Sequence, residues 1–199
     1  MDIYGNEDEI KMSRGSDIMV DIETLGTKPN SIMLTIGAVR FDPFADDSVL
    51  KNGPNDMDMF YARVDPESFT WPDAEIDDNT LQWWGKQTPE VREEAFTEVD
   101  RKPILQVMQD FYKWCQPHDR IWANGPAFDI VILEHIYRKL GRGFPWQYYQ
   151  VRDCRTVYKI APKYERVNPA LHHAAWDCWA QVVALQRCLK MLNISELER

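Results

Sequence analysis

Apolar positions along the chain follow two different rhythms. Residues 17–20 form a short apolar run, and residues 31–41 a longer, near-continuous one, the pattern of a central strand buried on both faces. In 57–64, Phe60, Ala62 and Val64 alternate with Met59, Tyr61 and Arg63, which fits a more exposed strand. Residues 120–123 and 151–154 read as two further short strands. Elsewhere the spacing is helical. Asp78-Asn79-Thr80 precedes Leu81 to Trp84, and Thr88-Pro89 precedes 90–96 with proline at the first helical position. Ile104, Met108, Phe111 and Cys115 recur on one helical face until Pro117, and 128–140 is a second strongly helical run stopped at Gly141. A short helix over 156–160 and a closing one over 173–192 complete the pattern. Three strands, helices, then strand, helix, strand and helix predict an α/β layer fold. Residues 1–15 read as a loose acidic arm, 42–56 as a loop rich in Asp, Asn, Pro and Gly, and 16–199 as one domain without repeats.

Composition narrows the class. A chain of 199 residues with 44% hydrophobic and 28% charged positions can bury an ample core and is expected to be folded. The longest apolar run, 32–39, is too short to cross a bilayer, and no secretory signal pattern is present, so no membrane partner is expected. Cys115, Cys154, Cys178 and Cys188 are scattered without a Cys-x-x-Cys pair, which predicts reduced thiols in a cytoplasmic protein. A net charge of −9 argues against a tight nonspecific grip on nucleic acid. The charge is uneven, however. Arg138, Lys139, Arg142, Arg152, Arg155, Lys159, Lys163 and Arg166 stand against only Asp153 and Glu165 in the same stretch. That stretch reads equally as a phosphate-accepting surface or as a solvated helix and loop.

The chemistry begins where the first apolar run ends. Asp21 and Glu23, one residue apart in a strand, project to the same side. Two such anions repel unless a cation sits between them, and oxygen ligands of this kind suit Mg²⁺ or Mn²⁺. Asp129, in the first turn of its helix, is favoured there by the helix dipole, yet it also heads a stripe with Leu133, Ile136 and Leu140 that should face the sheet. Asp177 lies one turn into a helix lined by Trp176, Trp179, Ala180, Val183 and Leu189, with His172 just before it. His172 and His173 are adjacent and point apart, a poor arrangement for zinc. Together Asp21, Glu23, Asp129 and Asp177 are enough for two divalent ions roughly 3.5–4 Å apart, one lowering the pKa of a water and the other stabilising a leaving oxygen. A histidine of near-neutral pKa at the edge could take the proton. This is the equipment of in-line phosphodiester hydrolysis.

Asp-Ile-Glu-Thr at 21–24, Asn-Gly-Pro-Ala-Phe-Asp at 124–129 and His-His-Ala-Ala-Trp-Asp at 172–177 resemble the three exonuclease motifs of the DEDDh superfamily, in order and at similar intervals. The likeness covers nearly all the chain after the acidic arm. It is strongest to the compact phage and bacterial members, including the exonuclease A-like and mycobacterial exoribonuclease-like proteins, and weaker to RNase T and the proofreading subunit. The resemblance implies an RNase H-like fold, with a five-stranded mixed sheet flanked by helices on both faces. It implies 3′→5′ removal of 5′-mononucleotides from single-stranded RNA or DNA, with Asp21, Glu23, Asp129 and Asp177 holding two Mg²⁺ or Mn²⁺ ions. His172 would be the general base and His173 at most auxiliary. Backbone at Thr24 and Leu25 would hold the terminal nucleotide, Asn124 would contact substrate, and Phe128 would stack on or wedge against a base. Trp83 and Trp84 read as two buried core indoles, although aromatic stacking tolerates any base. Relatives are often homodimers, and the surplus of tryptophans leaves room for an interface. Two rival readings share the fold: an RNase H-like endonuclease, which does not need His172, and a catalytically idle binding module, which should have lost a ligand position. None is lost here.

Overall fold

Alternation along the first strand sets how the other layers are laid down. The structure, a computed structural model, describes residues 17–45, 53, 55, 57–163 and 172–197; the acidic arm and most of the 42–56 loop lie outside the described residues. In β1 (Asp17–Thr24), Ile18, Val20 and Ile22 turn to one face of the sheet and Met19 to the other. The first set packs in a large core with α3 (Ile104–Cys115) and α4 (Asp129–Lys139). Met19 joins a second core with Val39, Trp122 and residues of α5 (Cys154–Ile160) and α6 (Ala174–Met191). Helices therefore cover both faces, as a strand apolar on both sides requires.

The sheet is mixed. β2 (Met33–Phe41) is antiparallel to β1 and to β3 (Met59–Val64), while β5 (Arg120–Ala123) runs parallel to β1 and β6 (Val151–Asp153) parallel to β5. A two-residue strand, β4 (Arg101–Lys102), pairs parallel with β3 and gives the order β4-β3-β2-β1-β5-β6. The expected count was five strands; the sixth is this edge pair. Two charged residues carry no periodicity to read. What fixes them is the Arg101 guanidinium, which donates to the carbonyls of Val64, Ala95 and Leu34. Between β3 and β4 lie α1 (Asp78–Gly85), capped by Asp77 accepting from the Thr80 N–H, and α2 (Pro89–Phe96), capped by Thr88. At the start of β1, fully buried Asp17 accepts from Arg120 at 2.8 Å and from the Trp122 indole at 2.7 Å, locking β1 to β5. Trp84, Trp122, Trp146 and Trp179 are all core residues rather than spare interface. Of the basic stretch, Arg138 pairs with Glu134 and Lys139 with Asp73, each at 2.6 Å.

One contact sets the height of α6 above the sheet. Gly37 of β2 lies directly across from Asp21 of β1. A Cβ on Gly37 would fall 2.3 Å from the backbone carbon of Ala174 and from the nitrogen of Ala175, far inside contact distance. Helix and strand touch backbone to backbone here, which only glycine below and small residues above allow. The Cys178 thiol, one turn on, donates to the Gly37 carbonyl at 3.3 Å. Gly37→Ala should therefore lower stability by about 1–3 kcal/mol in urea unfolding, the usual scale for overpacking. Gly85→Ala, where an added Cβ meets nothing within 4 Å, should instead stabilise by about 0.4–1 kcal/mol.

Candidate active site

β5 stops before β1 does, and the site occupies the gap. The β1–β5 pairing extends only to Met19 and Trp122, so beyond it one side of β1 lacks a strand partner. The chain leaves β5 through Asn124 and Gly125, whose φ of +109° few L side chains adopt, and enters α4 at Asp129. The Ile22 N–H, which a longer β5 would have bonded, donates instead to Asp129 Oδ1 at 3.3 Å. Asp129 thus stands in for a missing strand partner while also accepting from its own N–H at the start of α4.

From the other face, the first turn of α6 settles onto Gly37 and brings Asp177 down beside Glu23. Ligand atoms of Glu23, His172 and Asp177 lie within 4.8 Å of one another, a set that could hold a metal ion. Asp21 accepts from Gln181 Nε2 at 2.9 Å, one turn beyond Asp177 on α6. Burial is the first cause of an upward pKa shift at all four acids. Asp21 is pushed well above the usual carboxylate range by burial and then by Asp129, Glu23 and Asp177. Glu23 is pushed to about 8 by burial, then by Asp177 and Asp129. Asp129 rises to about 7, held back by its bonds from the Ile22 N–H and from its own N–H and, less, by the charge of Arg155. Asp177 rises to about 6, held back by the N–H groups of His172 and His173. Among the described residues no lysine or arginine forms an ion pair with any of the four. Four carboxyl groups gathered without a basic partner, each resisting ionisation, make a site of hard oxygen donors that a divalent cation would relieve.

His172 sits at the rim in a left-handed backbone conformation, φ +60°. Its ring stands edge-on to Trp83, centroids 4.7 Å apart, and near Trp84 at 6.1 Å; Nδ1 is 3.8 Å from Glu23. Burial holds its pKa below the ordinary value, which favours the neutral ring at pH 7. The reading of Trp83 and Trp84 as two core indoles is corrected: Trp84 is 2% exposed and donates to the Thr24 carbonyl, but Trp83 is 40% exposed. Adjacent helical residues diverge by about 100°, so both cannot face the core. His173 turns the other way and stacks on Tyr61.

The remaining positions are distributed around this centre. The Thr24 hydroxyl donates to Gly26 O at 2.6 Å. Leu25 uses its N–H on Ile32 O and its carbonyl on the Asp77 N–H, so both of its backbone groups are spent within the protein. Asn124 is held by the Arg155 guanidinium, at 2.7 Å from its carbonyl. Phe128 is half-buried against the main core. Gln181 went unnoticed in the sequence although it falls four residues after Asp177, a spacing that shares a helical face. Arg155 left no signal beyond its place in a basic stretch.

A family model described as the 3′-5′ exoribonuclease Rv2179c-like domain matches residues 16–189. The chain belongs to this family. It is a DEDDh-superfamily member and so sits among 3′→5′ exonucleases. A phage T4 exodeoxyribonuclease is 21% identical over 137 residues, covering 63% of this chain and 57% of that protein. Among solved structures, exonuclease I matches with a TM-score of 0.60 at 15% identity, over 88% of this chain and 41% of that one. Escherichia coli exonuclease I in complex with a dT13 oligonucleotide matches at 0.59, over 90% and 42%, also at 15% identity. Cell-death related nuclease 4 matches at 0.56 and 14% identity, over 88% and 64%. The chain thus spans well under two thirds of the phage and exonuclease I relatives, and at these identities the solved structures establish the RNase H-like fold alone.

The raised carboxyl pKa values give this member of the Rv2179c-like family a signed pH dependence. Unfolded, the acids titrate near 3.8 and 4.5; folded, Asp177, Asp129 and Glu23 hold their protons to about 6, 7 and 8. The native state binds more protons across that window, so stability in chelator should fall as pH rises from about 4 through about 8. Asp21→Asn removes one repelling charge and should raise the melting temperature at pH 8 more than at pH 5, read by thermal unfolding.

Proposed function

We propose that the chain hydrolyses the terminal phosphodiester bond at the 3′ end of single-stranded nucleic acid, releasing 5′-mononucleotides. Asp21, Glu23, Asp129 and Asp177 would hold two divalent ions, Mg²⁺ or Mn²⁺, and His172 would act as general base. The observation that carries this reading is the convergence of four acids from β1, α4 and α6, Glu23 and Asp129 buried and Asp21 and Asp177 partly so, with no lysine or arginine paired to them among the described residues, beside one half-buried imidazole. Such a donor set fits hard cations by its chemistry. The chemistry those ions supply when bound is acidification of a water and relief of negative charge at the phosphate.

The protein's own groups divide the remaining work. Gln181 fixes one oxygen of Asp21, and the Ile22 N–H fixes one of Asp129, so neither carboxylate swings freely. His172 is kept neutral by burial yet retains an exposed edge, the state a base needs to accept a proton from water. Its left-handed backbone and the Trp83 contact aim it at Glu23 and Asp177. Substrate contacts fall to the walls, with Phe128 and Asn124 on the α4 side and Thr24 and Leu25 shaping the turn after β1. The family description names RNA and the phage relative's name DNA, so the sugar is decided by digesting end-labelled single-stranded RNA and DNA side by side. Circular single strands should survive intact; their cleavage would favour the endonuclease reading.

His172→Ala should slow hydrolysis about 10²–10⁴-fold, the scale of a positioned base, with the fold retained, as read by circular dichroism. An unaltered rate would remove His172 from this role. Excess chelator should abolish turnover, and turnover undiminished by it would contradict the metal assignment.

A further inference from the structure

His173 has a side chain that does nothing for its own helix. It occupies the N-cap position of α6 without a side-chain cap bond, and its backbone alone serves the helix, the carbonyl accepting from the Asp177 N–H at 2.9 Å and the N–H donating to the Asp177 carboxylate. Its ring instead leaves the site. It stacks on Tyr61 of β3, centroids 4.6 Å apart and planes 29° from parallel, and its Nε2 lies 3.6 Å from Glu94 Oε1 on α2. Glu94 is itself held in place. It accepts from the Tyr61 hydroxyl and from the Arg63 guanidinium at 2.7 Å, and Arg63 also reaches the Glu94 carbonyl. Arg63 in turn lies 5.5 Å from the Tyr61 ring centroid. Two β3 side chains and one α2 carboxylate thus form a socket for the His173 ring.

The neighbour of that ring is His172, whose backbone lies at φ +60°, a conformation that non-glycine residues keep only when their surroundings impose it. The socket is the restraint on one side of the turn, and Trp83 the restraint on the other. We propose that Glu94, acting through His173, is a positioning residue that holds the His172 turn in its productive conformation. None of Glu94, Tyr61 and Arg63 belongs to the three sequence motifs, and none is among the acids proposed to hold metal. The inference rests on the reading of His172 as general base.

The experiment uses the full chain and a p-nitrophenyl ester of a mononucleotide, whose single phosphodiester keeps polymer binding out of the rate. Glu94→Ala should lower kcat by about 10²-fold, the known penalty for misplacing a reacting group by an ångström, while KM and the affinity for Mn²⁺ stay unchanged. Glu94→Gln still accepts from Tyr61 and Arg63 and should recover most of the loss. In a His172→Ala background, Glu94→Ala should change kcat by less than about twofold, because the effect passes through the missing imidazole. Losses that multiply across the two backgrounds, or an unchanged kcat for Glu94→Ala, overturn the proposal. Should Glu94→Ala not fold, Tyr61→Phe, which keeps the stack and deletes one bond to Glu94, is read the same way. A fully active His172→Ala protein would instead sink the general-base assignment, a separate result.

Discussion

The approach of the α6 backbone to Gly37 is the constraint on which the site depends. Gly37 and Asp21 are cross-strand partners, so whatever rests on Gly37 rests beside Asp21. With no side chain beneath it, the first turn of α6 descends until Ala174 and Ala175 touch the strand backbone. That depth puts Asp177 against Glu23 and lets Gln181 reach Asp21 from the next turn. The backbone of the two alanines in the third motif therefore sets the height at which Asp177 stands over the strand. Larger residues would raise the helix by a fraction of an ångström to an ångström, a displacement that matters when groups must converge on one phosphate.

The same descent concentrates negative charge where water is scarce. Each acid is shifted upward first by burial, and the two strand acids further by one another's neighbours. Partial compensation is built from neutral donors: the Ile22 N–H, the Gln181 amide and the N–H groups at the start of α6. These donors orient the carboxylates without cancelling their charge. An arginine in their place would have neutralised the acids and filled the space beside them. Arg155 is held back from doing so by its bonds to Asn124, which leave its charge acting on Asp129 from a distance.

The periodic parts of this architecture were legible, and so were the acids. β1, β2 and β3 follow from their apolar patterns, and the helices from capping and spacing. Sequence could say that Asp21 and Glu23 share a face because alternation is local. For Asp129 it offered a helix-dipole role or a sheet-facing one, whereas the structure supplies a bond to the Ile22 N–H that exists only because β5 ends early. The bounds of β5, 120–123, are legible in its own residues; that β1 runs on past its pairing with β5 is a matter of tertiary register, which no local pattern records. Trp83 and Trp84 could have been separated by helical geometry alone. β4 could not, since two charged residues hold their place through one guanidinium. The socket around His173 joins residues 61, 63, 94 and 173, and nothing in their sequence positions foretells that meeting.

Charge outside the site completes the physical picture. The stretch that carries most of the chain's basic excess does not form a free cationic platform at its start, since Arg138 and Lys139 are committed to Glu134 and Asp73. On a chain of net charge −9, little long-range attraction for a polyanion remains. For an enzyme acting as proposed, grip must then come from the terminal nucleotide and from cations in the acidic centre, contacts that are remade at every cleaved end. Weak hold on the body of the strand leaves the cut nucleotide and the shortened chain free to depart. A protein that had to bind internal segments would need the opposite distribution, with unpaired cations along a groove. Under the proposed function, the ion pairs of α4 would bear on how the strand is held, and the four acids on what is done to its end.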